Sequence, residues 1–252
     1  MAEVLSHPTL AARVAVTVRR RIEGRLLLAA LLVFAAVWAF GALWDGVEDQ
    51  HTGSFDRAVL LAFRVPGHPN LLAGPRWLQE CARDLTALGG FTVLTLVALM
   101  AVAILTMQRR RLQALILALT VILAQVLAGV IKLIADRPRP DIVGHFDLVY
   151  SSSFPSGHST MAPVVYLTLA VIMGAGEPRR EVRVLMFACA VAVTLAVGVS
   201  RVYLGVHWPT DVLAGWALGS AVALVSMTVL KLTARQLHQG GEVVRPAEGP
   251  GS

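Results

Sequence analysis

Six apolar runs of 17 to 23 residues, none of which contains a charged side chain, constrain this chain more than any other feature. A hydrocarbon core about 30 Å thick needs roughly 20 apolar residues in a helix, whose backbone satisfies its own hydrogen bonds there. The runs are Leu26–Trp44, Leu85–Met107, Leu112–Ile131, Ser159–Gly176, Val184–Ser200 and Val212–Leu230. We therefore predict an all-α, polytopic membrane helical bundle with six transmembrane helices.

The charge balance agrees with a membrane protein. Only 15% of the residues are charged, against about 25% in soluble domains. The net charge is +6, but most basic residues flank the apolar runs, as membrane topology requires. We therefore expect the bilayer, phosphate groups and anionic lipid head groups as partners, and no nucleic acid. The sequence leaves the oligomeric state open.

The expected domain organisation follows the apolar runs. Arg19, Arg20 and Arg21 precede the first run as in a signal peptide, but that run exceeds the roughly 7–15 apolar residues of a signal sequence, so it is interpreted as a retained span. We predict a cytoplasmic segment at 1–25, the membrane domain at 26–230, and a cytoplasmic, disordered tail rich in Gly, Pro and charge at 231–252.

The distribution of basic residues predicts the orientation. With a cytoplasmic amino terminus, 14 of the 22 Lys and Arg residues fall on the inner side and 8 on the outer side. Cytoplasmic loops carry the excess of these residues. We therefore expect a multi-pass protein of the inner (plasma) membrane with both termini inside and its functional residues on the outer face.

The segment between the first two runs, 46–84, is too polar to cross a membrane. Two sets of apolar residues recur in it at helical spacing: Phe55, Val59, Leu60 and Phe63, then Trp77, Leu78, Cys81 and Ala82. They predict two short amphipathic helices at the outer interface, separated by Pro66 and Gly67. Membrane anchoring and a lipid entry gate both remain open for this segment.

Three polar stretches adjoin the ends of apolar runs. In the first, Lys132 closes the third run, and Pro138 and Pro140 prevent the helix from continuing far, so Arg139 lies just past a helix end. A single Lys or Arg at this depth often only extends to the lipid interface. Two cations with few acids nearby favour an anion site instead.

The second stretch precedes the fourth run. Ser156, Gly157 and His158 lie where free backbone N–H groups of a helix N-terminus attract an anion. Gly157 allows close approach to the backbone, and Ser156 adds a hydroxyl donor. An ordinary helix cap with a bystander histidine is the alternative.

The third stretch contains Arg201, His207 and Asp211. Asp211 follows His207 by four residues at the start of the last run, so its carboxylate can accept the Nδ1 proton of the imidazole and activate the other nitrogen. Alternatively, Asp211 only complements the helix dipole. Three cations, a helix N-terminus and two histidines at one membrane face favour the binding and cleavage of a phosphate ester.

The ordered set closely resembles the type 2 phosphatidic acid phosphatase (lipid phosphate phosphatase) family in its bacterial membrane branch. The resemblance lies in Lys132 with Arg139-Pro140, in Pro155-Ser156-Gly157-His158, and in Ser200-Arg201 with His207 and Asp211. It implies phosphate binding by Lys132, Arg139, Ser156, Gly157 and Arg201. It further implies His207 as the nucleophile that forms a phosphohistidine, Asp211 as its orienting carboxylate, His158 as the general acid, and no metal or other cofactor.

Rival functions remain. A lipid phosphotransferase would use the same intermediate, and an anion transporter or channel would line its pathway with charges. A metal hydrolase using His158, His207 and Asp211 lacks the usual ligand motifs. Among substrates, undecaprenyl diphosphate is favoured, with phosphatidate, phosphatidylglycerophosphate or a lipid A phosphate as alternatives.

Overall fold

The computed structural model describes residues 10–147 and 151–242. Helices and one short hairpin make up the regular structure of these residues. The helices are α1 (Leu10–Glu48), α2 (Gly53–Ala62), α3 (Arg76–Ala87), α4 (Phe91–Met107), α5 (Arg111–Ala135), α6 (Gly157–Gly174), α7 (Arg180–Tyr203) and α8 (Pro209–Glu242). The predicted helical membrane bundle is confirmed.

The second predicted span is broken. Five helices are long and apolar enough to cross a membrane on their own, and a sixth span arises only if α3 and α4, bent by 46°, are taken as one. The bend falls at Gly89 and Gly90, where a Cβ on Gly89 would lie 2.3 Å from Val197 Cγ1 and 3.2 Å from the Cβ of His158. Because only glycine allows this approach, the break lies directly against α6 and α7.

The segment 46–84 contains both predicted amphipathic helices, as α2 and α3, together with an unpredicted hairpin. Strands β1 (Arg64–Val65) and β2 (His68–Leu72) pair antiparallel. Gly67 lies in the turn with a φ of +78°, a backbone conformation that glycine adopts without strain. The Pro-Gly break that separates the two helices therefore forms a hairpin turn.

The two terminal helices extend past the predicted spans. α1 begins at Leu10, and α8 continues to Glu242. The helix therefore covers 231–242 of the tail that was expected to be disordered, where Lys, Leu, Ala, Arg and Gln are good helix formers. Residues 243–252 of the expected tail, and 1–9 of the amino-terminal segment, lie outside the described residues.

α6 is the central helix, and α5, α7 and α8 pack around it. Its contact with α8 depends on Gly215 and Gly219, where a Cβ would lie 2.8 Å from the Ser156 carbonyl oxygen and 2.1 Å from that of Thr160. This is the small-residue spacing that allows membrane helices to approach closely. The backbone N–H of Ser156 consequently donates to the carbonyl oxygen of Asp211 at 3.0 Å, so the first turns of α6 and α8 are joined.

Candidate active site

Four helix ends meet at one side of the bundle because consecutive helices run in alternating directions. α5 and α7 end there, and α6 and α8 begin there. All eight residues predicted for the site lie on these ends or on the adjoining loops: Lys132, Arg139, Ser156, Gly157, His158, Arg201, His207 and Asp211. The most apolar parts of the sequence thus carry a polar cluster at one end.

His207 and Asp211 form a buried pair. The Nδ1 atom of His207 lies 3.4 Å from Oδ2 of Asp211, and the two residues are 2% and 0% exposed. The same oxygen accepts the hydroxyl proton of Ser153 and the backbone N–H of Trp208, the latter at 2.9 Å. The carboxylate is therefore held from several directions.

The other nitrogen of His207 faces a cation. Nη1 of Arg139 lies 3.3 Å from Nε2 of His207 and donates to the Val206 carbonyl oxygen at 2.6 Å. A guanidinium has only donors, so this contact favours an unprotonated Nε2 and places the imidazole proton on Nδ1, toward Asp211. Nε2 is therefore the nitrogen with a free electron pair.

Lys132 lies beside the first turn of α6. Its Nζ donates to the Ser152 carbonyl oxygen at 2.6 Å, and the Ser152 hydroxyl donates back to the Lys132 carbonyl oxygen at 2.8 Å. A Cβ on Gly157 would lie 3.8 Å from Cε of Lys132. The lysine thus supports the loop that leads into α6 and brings its charge next to the Gly157 backbone.

Arg201 is almost fully buried at 1% exposure. Its Nη1 donates to Oγ1 of Thr86 at 2.8 Å and to Oδ2 of Asp147 at 2.6 Å, while its buried Nε has no hydrogen-bond partner among the described residues. Buried guanidinium groups normally have their donors satisfied. Arg201 therefore places a buried positive charge at the end of α7, with one donor unpaired in the described part of the chain.

The N-terminus of α6 contributes Ser156 and His158 to the site. Ser156 is fully buried and caps the helix: its hydroxyl oxygen accepts from the Ser159 hydroxyl at 3.0 Å and from the Ser159 backbone N–H at 3.5 Å. An accepting hydroxyl keeps its own proton for donation. His158 follows in the first turn of the helix, where it is partly buried.

Two cavities border His158. An apolar cavity of about 470 Å³ between α4, α5 and α6 runs from Val102 and Ala118 to Lys132, Gly157 and His158. A second cavity, of about 650 Å³, is lined by polar groups that include Arg83, His145 and Asp147. The cationic cluster therefore adjoins both an apolar groove and a polar space.

Comparison with known proteins identifies the family. Residues 113–234 match the PAP2 superfamily. Phosphatidylglycerophosphatase B of Bacillus subtilis is 35% identical over 146 residues, which cover 57% of this chain and 70% of that protein. The chain belongs to the PAP2 superfamily. The undecaprenyl-diphosphatase of Sulfolobus acidocaldarius is 32% identical over 131 residues, 50% of this chain and 59% of that one.

A solved structure agrees with this PAP2 membership. The transmembrane PAP2 type phosphatidylglycerolphosphate phosphatase from Bacillus subtilis superposes with a TM-score of 0.73 at 27% identity, covering 79% of this chain and 96% of that one. The predicted family and the predicted class, a lipid phosphatase, are confirmed. All eight predicted site residues lie within the matched range of this PAP2 protein, whereas α1 to α4 precede it.

Four residues that bind the predicted site residues were not identified from the sequence. Ser153 and Arg137 bind Asp211, and Thr86 and Asp147 bind Arg201. The Ser-rich loop before Pro155 and the first arginine of the Arg-Pro-Arg-Pro run were signals for Ser153 and Arg137. Within the described residues, no group of three His, Cys, Asp or Glu side chains is placed to hold a metal ion.

His207 of this PAP2 protein should titrate far from its ordinary value of 6.5. Burial, chiefly, lowers the pKa of His207 to about 4, while Asp211 opposes that shift. The imidazole therefore stays neutral from 6.5 down to about 4, and Nε2 gains a proton only below that pH. Nitrogen-15 NMR of histidine-labelled protein, with His207→Gln to identify the resonance, measures this directly. A midpoint near 6.5 would contradict the predicted burial effect.

Proposed function

We propose that this PAP2 protein hydrolyses a membrane lipid phosphate through a phosphohistidine on Nε2 of His207. One observation carries the proposal: Nε2 faces Arg139 while Nδ1 faces Asp211, within the cationic cluster that borders the apolar cavity. An imidazole oriented by a carboxylate is an activated nucleophile. The cavity is suited to an apolar chain attached to the phosphate.

The phosphate would bind among three cations. Lys132, Arg139 and Arg201 surround the start of α6, where the Ser156 hydroxyl and the Gly157 backbone N–H offer further donors. Donors and charges fixed in advance stabilise the extra negative charge of the transition state. Burial lowers the pKa of Arg139 to about 10, so this arginine still carries its charge at neutral pH.

The reaction would proceed in two displacements. Nε2 of His207 forms a bond to phosphorus as the bond to the leaving oxygen breaks. His158, which takes up a proton once the bound phosphate offsets the charges of Arg201 and Arg139, gives that oxygen its proton. Neutral His158 then takes a proton from water, whose oxygen attacks phosphorus and releases phosphate from Nε2. Asp211 retains the Nδ1 proton in a hydrogen bond and offsets the positive charge of the phosphorylated imidazole.

The favoured substrate is a lipid diphosphate such as undecaprenyl diphosphate on the outer face of the inner membrane, with both termini of the protein in the cytoplasm. Support comes from the basic-residue distribution, from the apolar groove, and from similarity to the undecaprenyl-diphosphatase. Similarity to phosphatidylglycerophosphatase B supports a phosphomonoester instead. The polar cavity beside His158 leaves room for an acceptor hydroxyl, which favours phosphotransfer as the second candidate.

A release assay on purified protein tests this proposal. Lipid monophosphates and diphosphates of matched chain length are compared in ¹⁸O-labelled water, with and without acceptor alcohols. Hydrolysis places one labelled oxygen in each released phosphate, whereas transfer phosphorylates the alcohol. Absence of turnover with every lipid phosphate would overturn the proposed function. Activity that is lost in EDTA and restored by zinc would overturn the metal-independent mechanism.

Gly129→Leu should obstruct the apolar groove. Gly129 lines this cavity, and a Cβ there meets no atom of the described residues within 4 Å, so a larger side chain starts in open space. We expect KM for a long-chain lipid phosphate to rise about tenfold, the cost of losing roughly two buried methylene groups of the lipid. Turnover of a short, water-soluble phosphate ester should remain unchanged.

Gly41→Leu is the matched control. Gly41 lies in α1, outside the groove, and its Cβ also meets no atom within 4 Å. This variant should leave both substrates unaffected. If Gly129→Leu changed neither substrate, or changed both equally, the lipid would not occupy this groove.

A further inference from the structure

Arg137 lies between two buried carboxylates and outside the set of cations that face the phosphate site. Its Nη1 donates to Oδ1 of Asp211 at 2.6 Å and to Oγ1 of Thr210 at 2.8 Å. Its Nη2 donates to Oδ2 of Asp56 at 2.8 Å. Cζ of Arg137 lies 5.6 Å from the ring centroid of Trp208. The indole therefore covers one face of the guanidinium, while the carboxylates bind its edges.

Asp56 comes from α2, in the segment for which anchoring and lipid entry were the two open interpretations. It is 0% exposed. Its Oδ1 accepts the backbone N–H of Thr210 at 2.9 Å, and its Oδ2 accepts the Thr210 hydroxyl at 2.7 Å. A carboxylate at this position satisfies a free N–H group at the start of α8 and complements the helix dipole.

The charges of this network require one another. A buried carboxylate without a partner costs several kcal/mol, and Asp211 is fully buried next to a neutral histidine. Arg137 supplies the compensating charge on Oδ1, which leaves Oδ2 to face His207. Asp56 binds the other nitrogen of Arg137, Nη2, and so holds the second end of the guanidinium fork. Asp56, Arg137 and Asp211 together hold one net negative charge, which balances a positive imidazole.

We propose that Asp56 and Arg137 form a positioning pair for the nucleophile, an inference that rests on the proposed function of His207. Arg137 holds the Asp211 carboxylate so that Oδ2 receives the Nδ1 proton, and Asp56 holds Arg137 and the first turn of α8. Both Nη atoms of Arg137 donate to protein oxygens, and the negative charge of Asp56 repels a phosphate, so the pair acts through Asp211 and not on the substrate. The role of α2 is thus to deliver a buried carboxylate behind the active site.

The test compares Arg137→Gln and Asp56→Asn with wild-type full-length protein in lipid nanodiscs. Because phosphate binding is left intact, KM and the inhibition constant of vanadate should stay within about threefold. kcat should fall about 30-fold or more, since a misplaced carboxylate weakens the nucleophile in the transition state. Arg137→Lys keeps the positive charge but loses the two-pronged guanidinium. Its kcat should therefore lie between those of wild type and Arg137→Gln.

A double-mutant cycle with Asp211 distinguishes a positioning role of Arg137 from a general effect on stability. In an Asp211→Asn background, Arg137→Gln should cause little further loss of kcat, because both residues act through one contact. Arg57→Gln is the control, since Arg57 neighbours Asp56 on α2 but is exposed. Thermal unfolding and vanadate titration give the fraction of folded sites, so that kcat is expressed per competent site.

Two results would overturn the positioning pair: unchanged kcat per competent site in Arg137→Gln, or losses in Arg137→Gln and Asp211→Asn that multiply independently. If Asp56→Asn does not fold, Arg137→Lys still decides the question. Failure of the proposed function would look different, because wild-type protein would then release no phosphate from any lipid in the assay.

Discussion

Replacement of His207 by Gln is expected to abolish phosphate release while the helices remain intact. The substitution removes Nε2, the nitrogen that faces Arg139 with its electron pair, so no phosphohistidine forms at this position. Loss of an enzyme nucleophile typically lowers kcat by about 10⁴-fold or more. Vanadate should still bind, because Lys132, Arg139 and Arg201 remain. The measurement is single-turnover phosphate release, together with labelling of the protein by a ³²P-lipid phosphate.

His68→Gln provides the control for this experiment. His68 is exposed on β2 and lines neither of the two cavities beside His158, so its loss should leave the rate unchanged. Normal turnover in a folded His207→Gln protein would remove this residue as the nucleophile. Label retained by that variant would mean that another side chain accepts the phosphoryl group.

Asp211→Asn should have the second largest effect, a loss of about 10² to 10⁴-fold in kcat, as for other histidines that lose their orienting carboxylate. Asp211 accepts from Arg137, Ser153 and the Trp208 backbone, all of which are donors. The NH₂ group of asparagine would face at least one of them, so the amide turns away from its best position. His207 then loses the acceptor for its Nδ1 proton.

A fall in kcat without a change in KM would identify the loss of the orienting carboxylate. Within the described residues, Asp211 binds His207 and Arg137 but none of the three phosphate-binding cations, so KM and vanadate inhibition should change little while kcat falls. Asp141→Asn, at an exposed loop position, is the matched control. A folded Asp211→Asn protein with near-normal kcat would show that His207 needs no carboxylate.

The membrane spans and the chemical groups of the site could be predicted from the sequence. Apolar runs must become helices in a bilayer, because the backbone finds no other hydrogen-bond partners there. Pro138, Pro140 and Gly157 mark where helices end and begin, so Lys132, Arg139 and His158 were assigned correctly to helix ends. These are local effects, which follow from residues a few positions apart.

The supporting contacts could not be predicted in this way. Asp56 and Thr210 are 154 positions apart, Arg137 and Asp56 are 81 apart, and Arg201 and Thr86 are 115 apart. No periodicity relates such residues, and their pairing depends on how α2 and α3 dock against α7 and α8. The break at Gly89 and the hairpin at 64–72 likewise follow from packing.

The sequence by itself determined that four helix ends carry cations, two histidines and a carboxylate, since hydrophobicity and local turns place each group at the membrane boundary. Only the tertiary structure decided which atoms face one another: Nε2 of His207 toward Arg139, Nδ1 toward Asp211, and Asp211 toward Arg137. The physical reason is that burial makes an unpaired charge or donor costly, so polar groups from distant segments are selected as partners by the packing of the helices.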